Sequence, residues 1–184
     1  LVGDEGKGVL INGVRGKTEH LVSVDEFGDV ELELEWMVPR ASNSGVYLMG
    51  RYEIQILDSY GVEEPAHSDA GGIYQRYKDD HTVPQAERGF DGRAPRVNAS
   101  RKPGEWQKFE ITFRAPRFDA KGNKVENARF VKVVHNGQVV HQNEELSGPT
   151  RSAMFEDEQA KGPIMIQGNH GPVAIRNVRV REVD

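Results

Sequence analysis

The sequence has no cysteine among its 184 residues. That excludes disulfides, thiolate metal sites and cysteine nucleophiles together, and leaves the redox compartment open. Long apolar runs are missing too, since no stretch approaches the roughly 18 residues a membrane-spanning helix needs. No basic run is interleaved with aromatics and the formal net charge is −5, which argues against nucleic acid as a partner. The opening LVGDEGKGVLING begins abruptly and carries no signal-peptide pattern. The six histidines form no HxH or HExxH pattern, so no metal site is expected. No cofactor is expected either: the glycine-rich stretches lack Walker or dinucleotide-binding context, and no motif supports a structural calcium.

What is present is a period of two. In 29–37, Val30, Leu32, Leu34 and Trp36 alternate with Glu31, Glu33 and Glu35, as in a strand with one buried and one wet face. Phe109, Ile111 and Phe113 repeat the pattern. Residues 129–135 and 138–143 flank Asn136-Gly137, the strongest short-range signal for a two-residue hairpin turn. The closing run 173–183 changes phase at Asn177, which predicts a bulge. Further strands are expected at 8–12, 20–24, 72–75 and 163–167, with one short helix at 152–160. Many short strands without a βαβ rhythm predict an all-β chain, an antiparallel sandwich or jelly roll. The length fits one domain over 1–184. Residues 77–105 are polar and rich in Gly, Pro and Arg; anchored by Phe90, Val97 and Trp106, they are expected to form an ordered loop lining a cleft.

Chemistry concentrates in 43–60. Arg51, Glu53 and Gln55 share one face of a strand, and a bulge near Leu57 would bring Asp58 to the same face. Two carboxyls, an amide and a guanidinium there make a sugar-binding or acid/base site, set against a solvated face with an incidental ion pair. The i, i+2, i+5 spacing is that of laminarinase-type glucanases, which carry an acid at each position. Gln55 in the middle weakens a double displacement, which needs two carboxyls about 5–5.5 Å apart. His135 sits at the hairpin turn, and His170 in a Gly-flanked loop. Tyr47, Tyr60, Tyr74 and Trp106 are the aromatics that could stack on sugar rings, against a default role in core packing.

Several ordered motifs then carry a resemblance. They are Phe27-Gly-Asp-Val-Glu-Leu-Glu-Leu-Glu-Trp36, Asn43-Ser-Gly-Val-Tyr47, Gly50-Arg-Tyr-Glu-Ile-Gln-Ile-Leu-Asp-Ser59 and Gly72-Ile-Tyr74. Asn98-Ala-Ser-Arg-Lys-Pro-Gly-Glu-Trp-Gln107, His135-Asn-Gly137 and Gly162-Pro163 ahead of Gln167 follow. From about Gly8 to Val183 the chain resembles the 3-keto-disaccharide hydrolase domain family. The resemblance implies a concanavalin-like jelly roll. It also implies export to the periplasm or medium of a bacterium, and an opening strand upstream that is missing here. The loop between Asp79 and Ala94 is longer than in many members. The implied substrates are glycosides oxidised to a ketone at C3, whose acidified C2 hydrogen allows elimination of the C1 substituent and then hydration. Within that resemblance Glu53 or Asp58 is the base, and Arg51 with His135 or His170 stabilises the enolate. Asn43, Gln55 and Asn98 orient hydroxyls, and Tyr47, Tyr74, Trp106 and Gln167 complete the expected substrate contacts. The alternative is a non-catalytic carbohydrate-binding module on the same fold.

Overall fold

The computed structural model describes residues 8–183 and is an antiparallel β-sandwich. The expected opening strand, upstream of residue 8, lies outside the described residues. In chain order the strands are β1 (Val9–Ile11), β2 (Leu21–Phe27), β3 (Val30–Met37), β4 (Asn43–Leu48), β5 (Tyr52–Leu57), β6 (Arg76–Tyr77) and β7 (Gly89–Phe90). They continue with β8 (Gln107–Arg114), β9 (Arg117–Phe118), β10 (Lys124–Glu126), β11 (Ala128–His135), β12 (Gln138–Leu146), β13 (Gly162–Ile166) and β14 (Ala174–Glu182). One sheet has the order β1-β14-β3-β8-β11-β12 and the other β2-β13-β4-β5. The chain changes sheet between β2 and β3, between β3 and β4, and between β13 and β14, as a jelly roll does. No helix among the described residues is long and apolar enough to cross a membrane.

The period-two patterns produce the core directly. In the ladder of β3 with β8, Val30 faces Phe113, Leu32 faces Ile111 and Leu34 faces Phe109. All six side chains are buried. They meet Val46, Leu48, Tyr52, Ile54, Ile56, Ile164 and Ile166 from the smaller sheet. Each such aliphatic or aromatic burial contributes on the order of 2 kcal/mol. The outer face of β3 carries the alternating glutamates, which lie across β14 from arginines: Glu35 opposite Arg176, Glu33 opposite Arg179 and Glu31 opposite Arg181. The register of β14 shifts between Arg176 and Arg179, and Asn177 at φ 52° is the expected bulge. Asn136 and Gly137 both take positive φ between β11 and β12, as the predicted hairpin turn requires.

Three expectations fail. Residues 152–160 form turns and bends rather than a helix, because their hydrogen bonds go to the β4–β5 hairpin instead of up a helical axis. Met154 N donates to Gly50 O, and the segment is tied down by Arg51. Residues 72–75 form no strand of their own. They run extended along the edge of β5, with Ile73 bridged to Ile54 on one side and Arg93 on the other. The 77–105 loop is ordered by the β6–β7 pair and a 3₁₀ turn at Gln85–Glu87, yet it does not line the Glu53 pocket, and its Tyr77 and Asp79 line a separate one.

The smaller sheet places the site. Alternation points Ser44, Val46 and Leu48 of β4 and Tyr52, Ile54 and Ile56 of β5 into the core. Asn43, Gly45, Tyr47, Glu53 and Gln55 therefore point to the other face. That face is not solvated: β4, β5 and β13 are buried along nearly their whole length. Loops from elsewhere in the chain overlie it.

Candidate active site

Glu53 and Tyr47 are directly opposed in the β4–β5 ladder, and Gly45 lies opposite Gln55. A Cβ at position 45 would collide with the Glu53 carboxyl. The Asn-Ser-Gly-Val-Tyr order therefore opens the exact space the carboxyl fills, with a phenol beside it. Around this pair lies a polar pocket of about 170 Å³. Asn43, Tyr47, Glu53, Gln55, Tyr74, Gln167 and His170, seven of the residues expected from the sequence, line it. Gln167 comes in from the end of β13, where its N–H donates to Gly45 O at 2.9 Å and its carbonyl accepts from Ser44 Oγ at 2.8 Å. His170 is exposed at the rim, with Nδ1 2.5 Å from Asn169 Oδ1. Burial, aided by the charges of Lys17 and His20, lowers its pKa from the ordinary histidine value.

Glu53 is only 3% exposed and has no ion-pair partner among the described residues. Burial pushes its pKa up to about 8, while the Tyr47 hydroxyl acts in the opposite direction. Tyr47 is pushed far up, first by its own burial and then by the charge of Glu53. The phenol thus stays protonated beside a carboxyl that titrates near neutrality, the range in which proton transfer is most effective. Two further groups point to a ligand. Gln55 Nε2 donates to Ser68 O at 3.1 Å, but its Oε1, like Asn43 Oδ1, is buried without a partner. Buried acceptors left unpaired are costly, and ligand hydroxyls would satisfy both.

Five expected residues do not line this pocket. β4 and β5 pair without a register shift as far as Leu57, so the bulge near Leu57 is absent. Asp58 lies beyond the strand, where its Oδ2 accepts from Ala41 N at 2.9 Å. Arg51 lies in the turn before β5 rather than on the strand, and its guanidinium is spent. Nε donates to Asp157 O at 2.5 Å, Nη1 to Met49 O at 2.8 Å and Nη2 to Asp157 Oδ1 at 2.8 Å, and the Phe155 ring lies 4.6 Å away. His135 is in the core between Trp36 and Phe109. Its Nε2 donates to Gln107 Oε1 at 2.9 Å, and burial, reinforced by the charge of Arg101, drops its pKa to about 3, so it is neutral. Asn98 Nδ2 donates to Ser59 O at 2.6 Å and Val62 O at 2.9 Å, closing a loop. Trp106 carries the Arg176 guanidinium at 4.0 Å beside β14 of the larger sheet.

Two lining residues had no sequence signal: Arg151 and Ser152. They belong to the turn after β12, where Thr150 N donates to Arg51 O and Arg151 N to Gln75 O. The Arg151 guanidinium lies 4.1 Å over the Tyr77 ring and has no carboxylate partner among the described residues. The pocket is therefore lined by one carboxyl, Glu53, two phenols, Tyr47 and Tyr74, and one arginine, Arg151, that has no ion-pair partner among the described residues. No group of three His, Cys, Asp or Glu that could hold a metal occurs among the described residues.

A family model described as a 3-keto-alpha-glucoside-1,2-lyase-like domain matches residues 3–181. Among solved structures, a candidate glycosyl hydrolase from Parabacteroides distasonis is 27% identical with a TM-score of 0.71. That match covers 92% of this chain and 70% of the other. A second candidate glycosyl hydrolase from the same organism, 23% identical at a TM-score of 0.63 over 96% of this chain and 87% of its own, shares the fold. No curated protein matches the chain.

Proposed function

The chain belongs to the 3-keto-alpha-glucoside-1,2-lyase-like family, and from that premise we propose that it cleaves glycosides carrying a ketone at C3. The observation that carries the reading is the single carboxyl in the pocket. Ordinary glycoside hydrolysis uses two carboxyls, one as acid and one as nucleophile or base. Elimination next to a ketone needs only one base, a group to hold the enolate oxygen and a proton for the leaving oxygen.

In this reading Glu53, once ionised, removes the hydrogen from C2. The electron pair of that bond moves through the enolate to form C1=C2, and the C1–O bond breaks. Arg151 takes the enolate-stabilising role expected of Arg51, facing the C3 oxygen as negative charge develops there, with His170 at the rim. Tyr47 gives its proton to the leaving oxygen and recovers one from Glu53, whose newly gained proton removes the charge that helped hold the phenol's pKa up. The products are the leaving-group alcohol and a 2-hydroxy-3-keto glycal. Addition of water across C1=C2, hydroxyl to C1 and hydrogen to C2, converts the glycal to the free keto sugar. Asn43, Gln55 and Gln167 receive or donate hydrogen bonds to the ring hydroxyls, and Tyr74 closes one wall. The carbohydrate is the partner, and export of the protein would place it where such glycosides arise.

Incubation with 3-keto-trehalose or methyl 3-keto-glucoside tests this. Release of the alcohol is expected, with a drop of roughly 10³-fold or more in kcat for Glu53→Gln. Binding of the sugar without any release would mark the protein as a carbohydrate-binding module. Equal turnover by Glu53→Gln would remove the base.

A further inference from the structure

The turn that carries Arg151 is fastened to the strand that carries Glu53 through one side chain, Thr150, which is buried. The backbone of Glu53 bonds along the outer edge of β5. Its carbonyl accepts from Tyr74 N at 3.2 Å, and Gln55 exchanges bonds with Gly71 and Gly72 on the same edge. The N–H and C=O of one strand residue point the same way, so the Glu53 N–H faces outward too. It donates to the Thr150 hydroxyl at 3.2 Å. That hydroxyl in turn donates to Arg51 O at 3.0 Å, and Thr150 N donates to the same carbonyl at 2.9 Å. The next residue is Arg151, which lines the Glu53 pocket. We propose that Thr150 is a positioning residue, whose hydroxyl fixes the separation between the Glu53 carboxyl and the Arg151 guanidinium across the substrate. The assignment rests on the roles given to Glu53 and Arg151 above.

A hydroxyl suits this place because it accepts from one strand atom and donates to another at once. Valine has nearly the same shape and does neither, so it would leave the buried Glu53 N–H unpaired. Other bonds hold the turn, but they reach different parts of the chain. Arg151 N donates to Gln75 O at 2.8 Å, and Met154 N to Gly50 O at the hairpin tip at 2.8 Å. Among the described residues the Thr150 hydroxyl is the turn's hydrogen bond to Glu53 itself. The same turn helps to cover the carboxyl. The titratable groups around that pocket are Tyr47 from β4, Tyr74 from the 72–75 segment, Arg151 from the turn and His170 from the rim. Burial is the main cause of the raised Glu53 pKa, so a turn that lifts admits water and moves the titration down.

The test compares wild type with Thr150→Val, Thr150→Ser and a core control in the larger sheet, Ile111→Val, on methyl 3-keto-glucoside. Thr150→Val is expected to lower kcat roughly 10–100-fold, the cost of a misplaced catalytic group. Its KM should change less than about threefold, since Asn43, Gln55 and Gln167 still meet the ring. The pH midpoint of its kcat/KM should fall below the value of about 8 set by burial of Glu53. Thr150→Ser, which keeps the hydroxyl, and Ile111→Val should both hold kcat near wild type. Wild-type kcat in Thr150→Val overturns the proposal, and so does an equal loss in Thr150→Ser or in Ile111→Val. If Thr150→Val fails to fold by circular dichroism, Thr150→Cys replaces it, because a thiol hydrogen-bonds only weakly. Failure of the parent reading shows differently, as folded wild-type protein that releases no alcohol. The Glu53 midpoint is then read directly by carboxyl NMR, and one left unchanged by Thr150→Val overturns the role of the hydroxyl.

Discussion

On β3 and on β5 glutamate alternates with apolar residues, three times on β3 and once, at Glu53, on β5, and the glutamates of the two strands behave oppositely. On β3, Glu35 lies under solvent beside β14. A hydrogen bond from Asn177 and the guanidinium of Arg176 hold its carboxyl below the ordinary value. On β5, Glu53 faces a pocket without a cation in ion-pair range, and burial pushes it up to about 8. Local pattern is the same in both; the difference is what covers the outer face. Over β3 there is water and an adjacent strand of arginines. Over β5 there are the 147–155 turn, the end of β13 and the rim loop of His170. A charged strand face becomes a reactive site when the chain closes over it without placing a counter-charge in ion-pair range of its carboxyl.

Four changes break or sharpen that contrast. The largest effect is expected from Glu53→Gln, in two opposite directions. Activity is lost, while stability at pH 7 rises by roughly 3 kcal/mol. The sign follows from proton binding. In the folded state Glu53 holds its proton up to about pH 8, but in the unfolded chain it releases it near 4.5. Between these values the unfolded state is favoured by its ionised carboxylate, a cost that the amide lacks. The stability gain should therefore shrink to nothing as pH falls below 4.5, which thermal melts at pH 4 and 7 would show. In the wild type, kcat/KM should rise with pH and level off above about 8; a midpoint near 4.5 would contradict the burial argument.

Gly45→Ala comes next. Its methyl group displaces the Glu53 carboxyl, and a loss of about 10²-fold in kcat is expected, since small misplacement of a catalytic group costs that much. Melting temperature should move far less than activity. Arg51→Met should act through structure: it releases the 151–160 segment from the hairpin tip. It is expected to cost about 1–3 kcal/mol of stability, with a loss of kcat that follows from the displacement of Arg151 and its enolate-stabilising guanidinium. A loss of kcat with no loss of stability would restore Arg51 to the chemistry. Smallest of all, Glu35→Gln should cost under about 1 kcal/mol and leave turnover untouched, marking the β3 face as a solvated one.

The legible part of this protein was whatever the two-residue period controls. The core faces of β3, β8 and β5, the Asn136-Gly137 turn and the Asn177 bulge all follow from neighbours a few residues apart. So does the shared face of Glu53 and Gln55, whereas the room that Gly45 leaves for the Glu53 carboxyl shows only in the fold. His135 was misread for a related reason. Its place at the turn and in the resemblance put it among the site residues, yet the strand's alternation turned its ring inward, where Gln107 and two aromatic rings enclose it. Asp58 was misread because a bulge is a choice between nearly equal backbone paths. Here the ladder ran straight, and the carboxyl capped Ala41 instead.

From its sequence alone, then, this chain determines an antiparallel sandwich and the strand face on which Glu53, the one buried acid among the described residues, stands. Those properties depend on alternation and turn chemistry, which act over a few residues. Only the tertiary structure decides that the face is covered, that Arg51 is spent as a tether and that Arg151 supplies the pocket's unpaired cation. Burial and charge pairing are set by segments about 100 residues apart in the chain, such as Arg51 and Asp157 with a separation of 106. No local pattern records which of them will meet.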